Sequence, residues 1–151
     1  MMPRGLVLSL IITIGLFSCS GRPAGLGVTN GKLVPCPQSP NCVSSQSTDE
    51  KHYIEPLHYD GPIEEAREAI LTVIQSMKRT KIVIQTDNYI RAEFVSALFR
   101  FVDDVEFYFD EESKTIHLRS ASPVGYYDLG VNRKRMEQIR AQYTALTAPE
   151  E

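Results

Sequence analysis

The chain has few of the residues that would point at once to metal, thiol or nucleic-acid chemistry. Its 151 residues include three histidines, three cysteines and no tryptophan, and the formal net charge is only −3. The pI of about 5.6 is low for a nucleic-acid-binding domain, which normally carries a clustered basic face and a high pI. We therefore expect no nucleic-acid partner. The absence of tryptophan excludes no class of function. With 42% hydrophobic and 23% charged residues, the composition is that of one globular domain.

No apolar run at the N-terminus is long enough for a permanent transmembrane helix. The run at residues 6–17 has about a dozen residues and follows one cation, Arg4, whereas a membrane span needs roughly 20 residues. A short apolar run behind a cation is typical of a secretory signal peptide. We therefore expect an exported protein.

Residues 16–19, with the sequence LFSC, resemble the lipobox of bacterial lipoproteins. In that motif the cysteine is lipidated after cleavage, so we expect a lipoprotein signal peptide at residues 1–18 and a membrane anchor through a lipid on Cys19. Ser20, rather than Asp, follows the cysteine, which in Gram-negative lipoproteins usually goes with delivery to the outer membrane. The expected location is then the periplasmic face of that membrane. An ordinary secreted protein and a retained anchor are the alternatives.

The mature chain divides into a tether, one domain and a short tail. Residues 19–34 contain four glycines and no periodic apolar face, so we interpret them as a flexible tether with a reach of only about 20 Å. Residues 35–147 form the single domain, which is long enough to bury its own core. Residues 148–151 are expected to be disordered.

The apolar spacing predicts two helices around a meander of strands. Asp60 and Pro62 are start signals for a helix whose apolar residues recur three and four apart. Strands are predicted at residues 81–87, 89–95, 105–109 and 115–122, and a last amphipathic helix at 132–146. The fold class is therefore α+β, with an antiparallel sheet of about four strands and two helices packed on one face.

Two cysteines, Cys36 and Cys42, lie in PCPQSPNCVSS, a stretch whose composition favours neither helix nor strand. A zinc site would need two further ligands with similar local spacing, and the histidines are scattered along the chain. A catalytic thiol would need a basic or helix-terminal setting, which the prolines and uncharged neighbours do not supply. In an exported protein the pair is most simply explained as a disulfide, and we expect neither a metal nor a cofactor.

Asp103 and Asp104 are adjacent carboxylates between two predicted strands. Such a pair could act as general acid and base or hold a cation. Ordinary turn chemistry explains it better, because no second ligand group is visible nearby in the sequence. We therefore expect a turn at this point.

The most suggestive segment spans residues 119–135 and ends in three cations at the start of the last predicted helix. Cations there oppose the helix dipole, so they are unfavourable unless something negative lies near. Either Asp128 caps the helix, or an anion binds there, with an anionic lipid or an envelope polymer as the expected partner. On the ligand hypothesis, replacing Arg133 and Arg135 should slightly raise thermal stability. The candidate anion-binding residues are Arg119, Ser120, Ser122, Tyr126, Arg133 and Arg135.

A serine enzyme in this segment would need a base placed against Ser120 or Ser122. Side chains alternate between the two faces of a strand, so His117 is expected on the opposite sheet face from Ser120. This placement argues against a serine–histidine dyad.

Three motifs occur in order along the domain: CPQSPNCVSSQ at residues 36–46, FVDDVEF at 101–107 and RSASPVGYYDLGVNRKRMEQIR at 119–140. Together they resemble the family called domain of unknown function 1499, over roughly residues 33–146. The resemblance implies a small exported or membrane-associated α+β domain with no established reaction. Members of the family often carry a basic residue at the position of Pro123, and this departure weakens an anion site that would use it.

The function favoured by these observations is a non-enzymatic binding or scaffolding module at the cell envelope. The alternatives are a small envelope enzyme, either a hydrolase or a transferase, and a binder of anionic ligands or lipid headgroups. Both alternatives would use residues 119–135.

Overall fold

The computed structural model describes residues 25–97 and 100–149. The strands are β1 (Val28–Thr29), β2 (Lys32–Leu33), β3 (Cys42–Ser44), β4 (Leu57–His58), β5 (Thr80–Gln85), β6 (Tyr89–Val95), β7 (Val102–Asp110) and β8 (Thr115–Ala121). The helices are α1 (Ile63–Ser76), between β4 and β5, and α2 (Val131–Thr147), after β8. Cys19 and the expected signal peptide lie outside the described residues.

Helix α1 forms where the apolar spacing predicts it. Pro62 precedes the helix in an extended conformation, and Glu64 and Glu65 occupy the first turn, where the helix dipole favours negative charge. One side of the helix is buried because its apolar residues recur three and four apart. The buried residues are Ala66, Ala69, Ile70, Leu71, Val73 and Ile74.

Strands β5 to β8 form the predicted antiparallel meander, with neighbours in chain order. Strand β7 begins at Val102, three residues before the predicted start. Asp103 and Asp104 therefore lie in the strand, opposite Phe94 and Glu93 of β6, and the prediction of a turn was wrong. Buried arginines compensate both carboxylates, which a sequence pattern does not reveal.

The main sheet has six strands and not about four. The short strands β3 and β4 both pair with β8, where Cys42 lies opposite Ala121 and Leu57 lies opposite Ile116. Strands of two or three residues are too short to show an alternating pattern in the sequence. They form because the edge of β8 supplies their backbone hydrogen-bond partners. The α+β class and the antiparallel sheet are confirmed, while the position of both helices on one face stays a prediction.

A small hairpin of β1 and β2 occupies residues that the sequence assigns to the tether. Asn30 and Gly31 connect the strands with φ of 51° and 72°, as a two-residue hairpin turn requires. Leu33 is buried, and the Gly27 N–H donates to Glu106 Oε1 at 2.8 Å. The ordered part of the domain therefore begins before residue 35.

A hydrophobic core extends from Val43 to Tyr143 and takes residues from both helices and from β6, β7 and β8, while Ile82 of β5 packs against it. Helix α1 contacts α2 and β5, and α2 contacts β3 and β8. A chain that begins at residue 20 would keep all of this core. Neither described helix is long and apolar enough to cross a membrane.

Candidate functional site

An open groove of about 840 Å³ lies at one end of the main sheet, which is the size of a small-molecule site. We call it the groove. On the side of α1 and the sheet it is lined by Ser76, Met77, Lys78, Arg79, Phe94, Val95, Ser96, Ala97, Phe101 and Asp103. On the side of the β8–α2 loop and α2 it is lined by Ser122, Val124, Gly125, Tyr127, Asp128, Leu129, Val131, Lys134, Arg135, Gln138 and Gln142.

An ion pair between β7 and α2 lies in the lining of the groove. Arg135 Nη2 donates to Asp103 Oδ2 at 2.5 Å, and Ser122 Oγ donates to Asp103 Oδ1 at 2.5 Å. The guanidinium carbon lies 5.1 Å from the ring centroid of Phe94. Both charged side chains are buried. Because a buried charge is unfavourable unless it is paired, this pair holds α2 against the sheet.

Asn132 connects the ion pair to its surroundings. Its Nδ2 donates to Asn41 O at 3.0 Å and to Asp128 Oδ2 at 2.8 Å. Its Oδ1 accepts from Ser120 Oγ at 2.6 Å and from Arg135 Nη1 at 2.8 Å. The fully buried amide therefore has partners on both sides, and such a satisfied network fixes the geometry around it.

The disulfide loop holds the start of the β8–α2 loop. Cys36 and Cys42 are bonded, which confirms the predicted disulfide. Asn41, next to Cys42, donates from Nδ2 to Ser122 O at 3.0 Å and to Gly125 O at 2.6 Å. The disulfide therefore restrains the residue that ties the loop to the domain.

The end of the same loop is shaped by Asp128. Its carboxylate accepts from the backbone N–H groups of Gly130 and Asn132, each at 2.9 Å, so Asp128 caps the start of α2. Leu129 and Gly130 both have left-handed backbone conformations, with φ of 57° and 74°. This conformation is rare for a bulky residue such as leucine.

The loop presents exposed apolar side chains, and we call residues 124–129 the apolar loop. Val124, Tyr126, Tyr127 and Leu129 are between 65% and 74% exposed, and Phe101 of the groove is 48% exposed. A contiguous apolar surface on a small domain typically marks a contact site.

Three exposed cations lie on the walls of the groove. Lys78 and Arg79 follow the end of α1, and Lys134 is on the first turn of α2. The two carboxylates of the lining, Asp103 and Asp128, are both engaged in the contacts described above. The groove therefore has a cationic rim on a chain whose net charge is −3.

The structure brings together only part of the predicted anion site. The residues that meet in one buried network are Ser120, Ser122 and Arg135. Tyr126 lies on the apolar loop and is 74% exposed. Arg133 donates from Nη2 to Lys51 O at 3.0 Å, outside the groove lining. Arg119 lies on the opposite sheet face.

That opposite face carries a second buried ionic cluster. Glu106 accepts from Arg119 Nη1 at 2.8 Å and from Tyr89 Oη at 2.7 Å. Beside it, Arg91 pairs with Asp104 at 2.7 Å. Burial and the hydrogen bond to Glu106 hold the pKa of Tyr89 far above its ordinary value.

The groups of a serine enzyme are not assembled in the described part of the groove. Ser122 Oγ donates to Asp103 and accepts from Asn132 Nδ2, and no described lining residue is a histidine. His117 lies 3.3 Å from Ser45 Oγ on the other face of the sheet, as predicted, and burial lowers its pKa. Within residues 25–97 and 100–149, no group of three or more His, Cys, Asp and Glu is arranged to hold a metal.

The fold and the groove define a small α+β domain with an open cleft beside an antiparallel sheet. Residues 32–143 match the family described as protein of unknown function, DUF1499, so the chain belongs to this family and the sequence resemblance is confirmed. No curated protein matches the chain.

Sequence reasoning missed two features of the groove. Lys78 and Arg79 look like ordinary basic residues at a helix end, and only the topology brings them near Lys134. The apolar loop did leave a signal, because PVGYYDLG places four large apolar residues between glycines and a proline where neither helix nor strand is predicted.

Proposed function

We propose that the protein is a non-enzymatic binding module of the cell envelope, anchored through a lipid on Cys19, whose groove binds one anionic amphipathic molecule of the lipid class. The observation that carries the proposal is an apolar cleft with exposed cations at its rim. The charges at the base of the cleft are already paired with each other.

The apolar part of the ligand would lie along Met77, Phe101 and Val131. These side chains are at least partly exposed around an open volume of about 840 Å³. Covering them would remove apolar surface from water, at about 25 cal/mol for each Å². An apolar chain is therefore the complementary occupant.

The anionic group of the ligand would lie near Lys78, Arg79 and Lys134. Arg135 is not available for this role because its guanidinium is paired with Asp103. Charge-assisted contacts to a phosphate or carboxylate favour an anionic over a zwitterionic head.

Binding in the groove can be tested with a single fluorophore, because the chain contains no tryptophan. Gln138→Trp places an indole in the groove lining, and Gln75→Trp places one on an exposed position of α1 outside it. The probe is lysophosphatidylglycerol with a brominated chain, below its micellar concentration. We expect strong quenching at position 138 and little at position 75. Equal quenching at both positions would refute the proposed site.

Selectivity for the anion can be tested by removing rim cations. We expect Lys78→Gln with Lys134→Gln to weaken binding of lysophosphatidylglycerol about tenfold, while binding of lysophosphatidylcholine changes little. Lys51→Gln with Lys81→Gln is the matched control, since both lysines are exposed and lie outside the lining. The same loss in the control would mean that only net charge matters.

Anchoring can be tested by metabolic labelling with a fatty acid. Cys19→Ser should leave the precursor uncleaved and unlabelled. Label retained by this variant would contradict a lipid on Cys19.

A further inference from the structure

We infer that the apolar loop, residues 124–129, is a membrane-docking surface that inserts into the interface of an anionic bilayer, so that the groove opens toward the lipid. This inference deepens the proposed function, because it states where the ligand of the groove comes from. The two are tested separately below.

The side chains of the loop suit the boundary between water and lipid. Val124 and Leu129 are apolar, and Tyr126 and Tyr127 combine an apolar ring with a polar hydroxyl, a combination that is enriched at membrane interfaces. Tyr126 is the most exposed of the four and does not line the groove. Its exposure is therefore not explained by the groove ligand.

The loop is held in place and does not need to fold on contact. Asn41 binds its start and Asp128 binds its end, through the hydrogen bonds described above. These contacts keep Leu129 exposed in a left-handed conformation. A surface that is already ordered loses little conformational entropy on docking.

The charges beside the loop indicate an anionic surface. Lys134 lies one turn into the helix that follows the loop, and Lys78 and Arg79 line the groove that the loop borders. Lysine and arginine near an anionic leaflet each favour binding. Asp128, the one carboxylate of the loop, accepts hydrogen bonds from the start of α2.

The length of chain before the described domain also favours a membrane as partner. Between Cys19 and Gly25 the chain spans at most about 20 Å when fully extended. Gly27 bonds to Glu106, which lies on the sheet face opposite the groove and about 10 Å along β7 from Asp103. A lipid on Cys19 would therefore keep the described domain close to the bilayer.

The docking surface can be mapped with the chain beginning at residue 20, which retains the whole described core and lacks the lipid. Tyr126→Trp reports on the loop, and Tyr53→Trp reports on a partly exposed tyrosine outside it. The probes are vesicles containing phosphatidylglycerol and brominated phosphatidylcholine, and vesicles of brominated phosphatidylcholine alone. We expect a blue-shifted and quenched emission for position 126 with the anionic vesicles only, and no change for position 53.

Affinity provides the second measurement. We expect Tyr126→Ser to weaken partition into the anionic vesicles about fivefold, whereas Tyr53→Ser leaves it unchanged. High salt should weaken binding of the unmodified protein. Binding without quenching at position 126, no binding at low ionic strength, or binding of an isolated envelope polymer instead of vesicles would each overturn the docking surface.

The two proposals fail in different ways. If position 126 is quenched by vesicles but Gln138→Trp is not quenched by the lysolipid, the docking surface stands and the groove ligand is wrong. If only Gln138→Trp responds, the groove binds its ligand and the apolar loop does not dock.

Discussion

Asp103 and Asp104 are neighbours in β7, yet they belong to two different regions of the molecule. Asp103 lies beside the groove and pairs with Arg135 of α2, while Asp104 faces the other side of the sheet and pairs with Arg91. Both pairs are buried, but only the first connects to the lining of a cleft. The difference teaches that a buried arginine does not by itself indicate an anion site, because its partner decides its role.

The two clusters also differ in what they connect. The Asp103 cluster links β7, α2 and the β8–α2 loop, so its loss should disturb the groove. The cluster around Glu106 links β6, β7 and β8 to the N-terminal segment through the Gly27 N–H. Its loss should lower stability without changing the groove.

The largest expected effect comes from Arg135→Met. This change leaves Asp103 buried without its cation, so we expect the free energy of unfolding to fall by about 3 to 5 kcal/mol, measured by urea denaturation. Arg133→Met, two positions away and outside the groove, should change it by less than about 0.5 kcal/mol. A higher stability of Arg135→Met would instead support the sequence expectation of helix-end repulsion.

A smaller loss is expected on the opposite face from Glu106→Gln. The amide keeps one acceptor for Tyr89 but removes the charge that pairs with Arg119, so we expect a loss of about 2 to 3 kcal/mol. Glu93→Gln is the control, since its contact to Arg91 is longer, at 3.4 Å, and its side chain is 31% exposed. Quenching of the groove tryptophan by the lysolipid should persist in Glu106→Gln, and its loss would contradict the separation of the two regions.

The disulfide should contribute about 2 kcal/mol, because the loop that it closes is short. Cys36→Ser with Cys42→Ser should also speed amide hydrogen exchange in the β8–α2 loop, since Asn41 is then less restrained. Exchange in β6 is the internal control. Alkylation should detect two thiols in this segment of the unmodified protein only after reduction, and free thiols beforehand would contradict the bond in the native protein.

The smallest effect concerns how the free energy of unfolding depends on pH in alkaline solution. Tyr89 has a pKa raised above 10.0 in the folded state, so the unfolded chain loses the phenol proton first as pH rises. The folded state then binds more protons, and stability falls with rising pH above about 10, whereas it is independent of this group at lower pH. Tyr89→Phe should reduce the slope of the free energy of unfolding against pH in this range, measured by denaturation at a series of pH values. An unchanged slope would mean that other groups cause it.

The sequence alone determines the two helices and the four long strands of this protein. The spacing of Ile70, Val73 and Met77 predicts α1, and alternation predicts the meander, because both patterns arise from side-chain periodicities of 3.6 and 2 along a single segment. The disulfide was also predicted from the sequence, because two cysteines six apart among prolines and uncharged residues suit neither a zinc site nor a reactive thiol. The family follows from its ordered motifs.

The tertiary structure alone decides which charges are paired and where the cleft lies. Asp103 and Arg135 are 32 residues apart, and neither of their segments signals the other. Strands β3 and β4 exist because β8 offers them an edge, not because of their own propensity. The groove likewise combines Lys78, which follows the end of α1, with Lys134 of α2. Local patterns describe neighbours along the chain, whereas burial, ion pairing and cleft formation depend on contacts between distant segments.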